Sequence, residues 1–376
     1  MTDYNVQLRN SAGEKIALFA GSEKGGGLLG FRYVKTLRRS GQSVLEFNAT
    51  DSRVELFELD SQIEFMRNDP LDATKNWYLD FGAFHRSVKY NTDKEGKFRF
   101  TSRGRGFNDL LQAEIIGYPA GTEYTEKDAA CETVAKEFVD ENIGPSATAP
   151  PRSISGVFTG VSVEADSATG ATWSGARANK NLLEILEELA EAAPGDFNLI
   201  GLGDSTFEFR WRDVRWGLDK TEGNADGNPA VVFSPRLGNV ERMYFDDDRA
   251  NEINRVTVLG SGEGEERLVI TVDDAGATET PWSRRAVARD ARDTGDEDEL
   301  TERANAIIER QRARKSVVVT TIQTKATRYS RDWDYGDLVT VEYSPFGDKM
   351  NLKIESVEIE LMENGKELIN FEGVEE

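Results

Sequence analysis

The chain has 376 residues, of which 46 are basic and 68 are acidic, and its formal net charge is −22. This length suffices for two or three domains with separate hydrophobic cores, which excludes a peptide-like protein. The excess of acids disfavours any function that depends on gripping nucleic acid phosphates. Aromatic residues at 9%, together with a regular alternation of apolar residues, argue against a disordered chain.

The single cysteine and the single histidine limit the chemistry that the chain can perform. Cys131 alone excludes an internal disulfide and a thiolate zinc cluster, and His85 alone removes most histidine-based metal sites and catalytic triads. His85 follows a strand-like run without a partner that would make it a general base, which favours a surface or half-buried structural histidine. Cys131 lies on or beside the apolar face of a predicted helix, which favours a small buried side chain over a nucleophile.

The surface composition leaves two kinds of source organism open. Arginine outnumbers lysine by 30 to 16, and an acid-rich, lysine-poor surface resembles that of proteins from a high-salt cytoplasm. An ordinary acidic protein from a low-salt organism explains the same counts. The N-terminus lacks the features of a signal peptide, and no run of about 18 apolar residues occurs, so we expect no membrane span.

The first third of the sequence alternates in the manner of β strands. The run at 54–59 alternates after a polar opening, the run at 77–81 starts another strand, and the run at 97–101 has apolar residues at every second position. Glycine-, proline- and aspartate-rich loops separate these runs, and no helical pattern intervenes, which favours an antiparallel sheet closed toward a barrel or sandwich. We predict a first tube-like β domain over residues 1–124.

The apolar period changes to that of a helix at residue 125. Thr125 and Asp128 resemble an N-terminal cap, and a helix follows with an apolar stripe through Val134 and Phe138. After a linker or loop at 146–151, the pattern predicts strands at 157–163, 197–200 and 207–211, with a second helix that begins at Asn179 or Asn181. We predict a smaller mixed α/β domain over residues 125–230.

The last third is again β with one helix. Alternation predicts strands at 254–259, 267–272, 317–322, 338–343 and 352–361, and a helix at about 297–314 separates them. We predict a second tube-like β domain over residues 231–376. The predicted fold class is therefore α+β and mainly antiparallel β, with two tube-like β-barrel or sandwich domains that flank the smaller mixed α/β domain.

Two groups of charged or flexible residues are weak candidates for ligand sites. Glycines at 25–27 lack the Gly-Lys-Ser/Thr ending of a phosphate-binding loop, so a flexible loop is favoured. Acidic runs at 246–248, 273–274 and 296–299 lack the spacing of a calcium loop, and they are interpreted as solvated turns or a charged helix start.

Cations interleave with aromatic residues at Arg210, Trp211, Arg212, Arg215 and Trp216. Alternation in a strand favours aromatic side chains in a core over a base-stacking surface. A pair of carboxylates, as used in glycoside cleavage, is not informative here, because such pairs are expected in a chain with 68 acids. We therefore assign no catalytic, cofactor-binding or metal-ligating residue, and we expect that the protein is not an enzyme.

Segments along nearly the whole chain share the order and spacing of one known family. They are Gly-Arg-Gly-Phe-Asn-Asp-Leu-Leu at 104–111, a helix at 130–142, Arg152 before a strand, Arg-Ala-Asn-Lys-Asn-Leu-Leu at 177–183, Val-Val-Phe-Ser at 231–234, Asn-Arg-Val-Thr-Val-Leu-Gly at 254–260 followed by Gly-Glu-Gly-Glu-Glu-Arg at 262–267, and Asp-Trp-Asp-Tyr-Gly-Asp-Leu-Val-Thr at 332–340. Together they resemble the central tail hub, or baseplate hub, protein of long-tailed bacteriophages and related archaeal tailed viruses.

This resemblance implies a structural protein of the virion tail, assembled in the host cytoplasm. It implies a homotrimer in which each chain supplies two tube-like β domains to a pseudo-sixfold ring that continues the tail tube. The ring binds the distal tail protein above, the tape-measure protein within and tip or fibre proteins below, and the genome passes through without specific binding. The charge of −22 per chain fits a channel wall that repels DNA phosphates during ejection.

Two other functions stay open beside the hub. One is a carboxylate-based, glycan-cleaving enzyme of the tail tip, and the other is a receptor-binding adhesin. The scarcity of histidine and cysteine and the ordered family segments favour the hub over both.

Overall fold

Antiparallel β strands dominate the computed structural model, which describes residues 2–21, 27–119, 121–147, 160–313 and 315–376. The predicted fold class, α+β and mainly antiparallel β, is confirmed. In chain order the strands and α helices are β1 (Asp3–Arg9), β2 (Lys15–Ala20), β3 (Leu28–Thr36), β4 (Gln42–Asn48), β5 (Gln62–Asn68), β6 (Tyr78–Thr92), β7 (Phe98–Gly106), α1 (Asp109–Gln112), β8 (Thr125–Ala130), α2 (Cys131–Asn142), β9 (Val161–Val163), β10 (Thr172–Arg177), α3 (Leu182–Ala192), β11 (Gly195–Gly201), β12 (Phe207–Asp213), β13 (Val232–Phe233), β14 (Val240–Asp247), β15 (Arg255–Leu259), β16 (Val269–Asp273), β17 (Ala286–Asp290), α4 (Glu297–Gln311), β18 (Lys315–Thr321), β19 (Leu338–Glu342), β20 (Lys349–Leu361) and β21 (Glu367–Glu375).

One large sheet joins strands from both ends of the chain. Within the described residues it has 13 strands in the order β14-β18-β21-β20-β3-β4-β7-β6-β5-β1-β2, with β19 paired to β20 and β13 paired to β19. The junction is the antiparallel pair of β3 and β20, in which Thr36 lies opposite Ser356 and Phe31 lies opposite Leu361. The two predicted tube-like β regions are therefore continuous in one sheet, except that β15, β16 and β17 of the second region form a sheet of their own.

The strands of the large sheet share one hydrophobic core. Alternation along the strands puts every second side chain inside, as in β1, where Tyr4, Val6 and Leu8 are buried. Aromatic side chains fill much of the interior, and each fully buried one stabilises the fold by about 2–3 kcal/mol. The fully buried aromatic members of this core include Phe19, Tyr33, Phe47, Phe65, Phe100, Phe233, Tyr329, Trp333 and Phe371.

A mixed α/β region with a core of its own lies between the two β regions in sequence. Helices α2 and α3 pack beside the sheet β11-β12-β9, and a separate antiparallel pair joins β8 to β10. The apolar face of α3 is buried as predicted, and Asn181 is the cap because its side-chain oxygen accepts from the amides of Leu183 and Glu184. In the predicted strand at 157–163, residues 161–163 form β9 and residues 157–159 lie outside the described residues.

Two elements predicted from the sequence are wrong. Residues 54–59 do not form a strand, because a 3-10 helix covers Ser52–Leu56 and the buried residues are Val54 and Phe57, at a helical spacing of three. Thr125 is not a helix cap, because it begins β8, and the helix starts at Cys131. Its hydroxyl instead donates to the carbonyl of Gly117.

Residues of the chain gather into two compact groups. One comprises Met1–Tyr244, Val317–Val374 and Glu376, and the other comprises Phe245–Ser316 and Glu375. The second group contains the sheet β16-β15-β17 and helix α4, whose Leu300, Ala304 and Ile308 pack on Val256 and Val258. These groups cut across the ranges 1–124, 125–230 and 231–376, which stay a prediction as a division into domains. The acidic run at 296–299 is a helix start, since Asp296 caps α4.

Replacement of the α3 cap tests the local origin of this helix. We expect Asn181→Ala to lower the free energy of unfolding by about 1–2 kcal/mol, because two helix amides lose their acceptor. Asn179→Gly is the matched control, since Asn179 has a φ of 55°, which glycine adopts freely. Urea denaturation of both variants measures the difference, and equal stability of the two would contradict the assignment of Asn181 as the cap.

Candidate functional site

The segment at 104–111 forms a joint between the large sheet and the mixed α/β region. The ring of Phe107 lies between Gly82 of β6 and Gly201 of β11, where an added Cβ would come within 2.1 Å and 2.4 Å of the ring. Phe107 also meets the rings of Phe84 and Phe207, at centroid distances of 5.2 Å and 4.9 Å. Only glycine leaves room for the ring at both positions.

Asn108 completes this joint with three hydrogen bonds. Its side-chain amide donates to the Asn198 side-chain oxygen at 2.8 Å and to the Arg39 carbonyl at 3.1 Å. Its oxygen accepts from the amide of Leu199 at 2.7 Å. Because Asn108 is buried, these bonds replace its contacts with water and fix β11 beside the turn that follows β3.

The segment at 332–340 forms a second joint, between the chain at 216–220 and strand β19. One oxygen of Asp337 accepts from the amide of Leu218 at 2.8 Å, and the other accepts from the Lys220 ammonium at 2.8 Å. Gly336 has a φ of 86°, and an added Cβ would come within 2.8 Å of Trp216. Gly336 is therefore required by packing, and Asp337 is required by its hydrogen bonds.

A network of buried charges lies inside the large sheet. The Lys35 ammonium of β3 donates to Asp80 of β6 at 2.9 Å, to the Tyr329 hydroxyl at 2.7 Å and to Asp334 at 3.1 Å. Asp80 also accepts from the hydroxyls of Tyr33 and Tyr329. Lys35 and Asp80 are both more than nine-tenths buried, so this cluster replaces their hydration completely.

Arg67 extends the network toward the C-terminal strand β21. Its guanidinium is buried and donates to Tyr4 at 3.0 Å, to Tyr78 at 3.2 Å and to Glu367 at 3.3 Å. The Tyr4 hydroxyl donates a further bond to Glu367. Charged groups from β5 and β21, which are distant in sequence, thereby neutralise each other in the core.

The environment sets the charge of each member of the network. Burial would raise the pKa of Asp80, but the Lys35 and Arg67 cations outweigh burial and hold the pKa of this carboxyl below its usual value. Burial and the neighbouring Asp80 charge raise the pKa of Asp334 above its usual value, although the Lys35 cation acts in the opposite direction. Burial raises the pKa of Tyr335 to about 12, so the phenol stays neutral at neutral pH. The network is a set of satisfied ion pairs that joins strands.

A cavity of about 200 Å³ lies beside Lys35 and Asp80. Its polar lining includes Asn108, Asn198 and Tyr335, and glycines form part of its wall. Tyr335 accepts from the Asn198 amide at 3.1 Å, so the polar groups around the cavity already bond to one another.

His85 and Cys131 are both buried, so the prediction of a surface or half-buried histidine is wrong. Nδ1 of His85 lies 2.7 Å from the Ser102 hydroxyl, Nε2 has no hydrogen-bond partner among the described residues, and burial lowers the pKa of this imidazole to about 4. Burial raises the pKa of the Cys131 thiol to about 11. The interpretation of Cys131 as a small buried side chain is confirmed.

The remaining sequence candidates are mostly structural. Phe207, Phe209 and Trp211 lie in the α/β core, as predicted, while Arg210 pairs with Glu208 and Arg212 pairs with Glu164. Within the described ranges, no group of three or more His, Cys, Asp or Glu side chains is placed to hold a metal ion. Residues 25 and 26 of the glycine run and Arg152 lie outside the described residues.

The buried network was missed at the sequence level, although the strands carry a signal for it. Lys35 has the same parity as Phe31 and Tyr33 in β3, so alternation places its ammonium on the core side of the sheet. A charge at a core position requires a buried partner, but the pattern does not say which of the acids supplies it.

Among the described residues, no helix is long and apolar enough to cross a membrane.

The family model described as Siphovirus ReqiPepy6 Gp37-like protein matches residues 85–371. The chain belongs to this family. A search of curated proteins finds no match. The match to the Gp37-like family covers the segments at 104–111 and 332–340 and most of the strands described above, and it confirms the recognition of a phage tail hub-like protein.

Solved structures share the fold of this Gp37-like protein along its whole length. The 43 kDa tail protein of prophage MuSo2 from Shewanella oneidensis has a TM-score of 0.61 at 13% identity, with 99% of this chain and 98% of that chain covered. A tail protein from Neisseria meningitidis has a TM-score of 0.58 at 13% identity, with 99% and 97% covered. A chain of the Francisella PdpA-VgrG complex has a TM-score of 0.54 at 9% identity, with 100% and 58% covered.

Removal of the Lys35 charge tests the buried network of the Gp37-like chain. We expect Lys35→Met to lower the free energy of unfolding by about 3–5 kcal/mol, because Asp80 and Asp334 lose their shared buried cation. Lys89→Met is the matched control, since Lys89 is exposed on β6. Chemical denaturation measures both, and a loss below about 1 kcal/mol for Lys35→Met would show that the network does not stabilise the fold.

The lowered pKa of His85 predicts that the stability of the fold depends on pH through this one side chain. The pKa of His85 is 6.5 in the unfolded chain and about 4 in the folded chain, so between these values the unfolded state binds the extra proton. Stability is therefore fully present above pH 6.5 and is lost as the pH falls toward 4. We expect the free energy of unfolding to drop by about 2 kcal/mol between about pH 7.5 and about pH 5.

The variant His85→Gln isolates this contribution, because the chain has no other histidine. Its unfolding free energy, measured by denaturant titration across the same pH range, is expected to change by less than half as much. Parallel pH profiles of the variant and the parent would assign the effect to carboxylates instead.

Proposed function

We propose that this chain is a structural protein of the virion tail, a homotrimeric hub that closes the distal end of the tail tube. The observation that carries the proposal is the end-to-end match of its fold to tail proteins, with 98% and 97% of two such chains covered. Membership of a siphovirus family supports the same role.

The organisation of the large sheet supports a ring. Its strand path ends at two edge strands, β2 and β14, and edge strands offer backbone groups for pairing with another chain. Each chain contributes two β regions, so three chains around a threefold axis supply six, which matches a pseudo-sixfold tube.

The surface charge supports a channel for the genome. With −22 per chain, a trimer repels DNA phosphates, so DNA passes without specific binding. The proposed partners are the distal tail protein, the tape-measure protein and tip or fibre proteins, with assembly in the host cytoplasm. The similar chain from Francisella was solved in a complex of PdpA with VgrG, which supports a docking role for the fold.

We propose that the protein has no enzymatic role. His85 and Cys131 are buried, and burial moves the pKa of each away from the range in which imidazole and thiolate are reactive. The carboxylates Asp80 and Asp337 are occupied by cations and amides.

Electron microscopy of the purified chain tests the hub. We expect negatively stained threefold rings with a central hole, more abundant at about 3 M salt than at about 0.1 M because salt screens the repulsion between acidic subunits. Sedimentation velocity on the same samples should give the mass of a trimer. Compact monomers in both conditions would contradict the homotrimer, and release of sugars from cell-envelope glycans would contradict the absence of enzymatic activity.

A further inference from the structure

The second compact group presents a basic and aromatic surface in an otherwise acidic chain. Residues 282–292 contain four arginines and one aspartate, whereas the whole chain has 68 acids against 46 bases. Trp282 is 77% exposed. We call Trp282, Arg284, Arg285 and Arg289 the Trp282 surface.

The three arginines of the Trp282 surface have no carboxylate partner among the described residues. Arg285 donates to the carbonyls of Trp282 and Arg284, Arg289 donates to the carbonyl of Ala288, and all three side chains are exposed. Other arginines of the same group do form ion pairs with acids, namely Arg249, Arg255, Arg267, Arg292, Arg303 and Arg312. The three guanidinium groups are thus available to acids from outside the chain.

Hydrogen bonds from the buried Asn254 side chain hold the loop that carries Trp282 in place. Asn254 is fully buried, its side-chain amide donates to the Ser283 carbonyl at 2.8 Å, and its side-chain oxygen accepts from the Arg285 amide at 2.8 Å. The hydroxyls of Thr280 and Ser283 lie 2.6 Å apart. A loop anchored in this way loses little conformational entropy on binding, which favours contact through the exposed indole.

Strand β17 continues this surface with a free edge. In the part of the chain that the structure describes, it pairs with β15 on one side and ends the sheet β16-β15-β17 on the other. Ala286 and Ala288 are exposed and small, so the face of β17 on which they lie is open to an approaching surface.

We propose that the Trp282 surface is a contact between copies of this chain in the homotrimer. This inference rests on the proposed function, because its occupant is a second copy. Two chains that each carry a net charge of −22 repel each other, so contact between them is most favourable where the local charge is positive. A second copy is rich in surface carboxylates, which guanidinium groups bind with two parallel hydrogen bonds. Tryptophan and arginine are also the residues that contribute most at protein interfaces.

Sedimentation velocity of the full chain tests the contact at the salt concentration where the parent forms trimers. We expect Trp282→Ser to weaken the trimer by about tenfold or more, as loss of an interface anchor does. The charge reversal Arg284→Glu with Arg285→Glu should weaken it by a similar factor.

Matched controls separate this contact from general effects. Phe346→Ser removes an aromatic side chain that is 90% exposed, and Lys89→Glu with Lys94→Glu makes the same change in net charge at exposed positions. Both controls should leave the trimer within about twofold of the parent, the scale of a near-neutral surface change. Unchanged thermal unfolding of the variants shows that the fold is intact.

Each outcome decides the inference. Selective weakening by the Trp282 surface variants supports it. If the parent forms trimers and all variants retain them, the inference is overturned but the proposed hub function is not. A monomeric parent would overturn both. Retained trimers with lost binding of a double-stranded DNA oligonucleotide would also overturn it and assign the surface to nucleic acid.

Discussion

The Lys35 ammonium, buried inside the large sheet, is the point on which much of the first compact group depends. Its partners come from β6 and from the segment between β18 and β19, at 2.7–3.1 Å. A buried charge without partners costs several kcal/mol, so the two ends of the chain are stable together only when these groups meet. The pairing of β3 with β20 in the same sheet brings them into place.

The two joints extend this constraint to the rest of the first group. Phe107 fits only because positions 82 and 201 are glycines, and Asn108 fixes β11 by hydrogen bonds. Asp337 does the same for the chain at 218–220. Residues of the family-like segments thus set distances between strands and hold the connecting segments in place.

The different arrangement of charges in the core and on the surface fits a structural tail protein. Inside, opposite charges are paired and the titratable side chains of His85 and Cys131 are buried. Outside, the excess of acids repels other acidic proteins, so in the proposed trimer contact depends on local exceptions in charge and on free strand edges. The Trp282 surface has both features, which is why it is the proposed place for subunit contact.

The sequence by itself determined the fold class, most strands, helix α3 and its face, and the family, because period-two alternation, helical stripes and the order of motifs are local properties. It misjudged 54–59, where the buried pair Val54 and Phe57 has a helical spacing of three that period-two alternation does not allow on one face. It identified Lys35 and Asp80 neither as buried nor as partners. Only the tertiary structure decided that Lys35 and Asp80 are buried partners, that one large sheet joins both ends of the chain, and that residues 245–316 form a separate group. The physical reason is that pairings between distant residues depend on which strands meet.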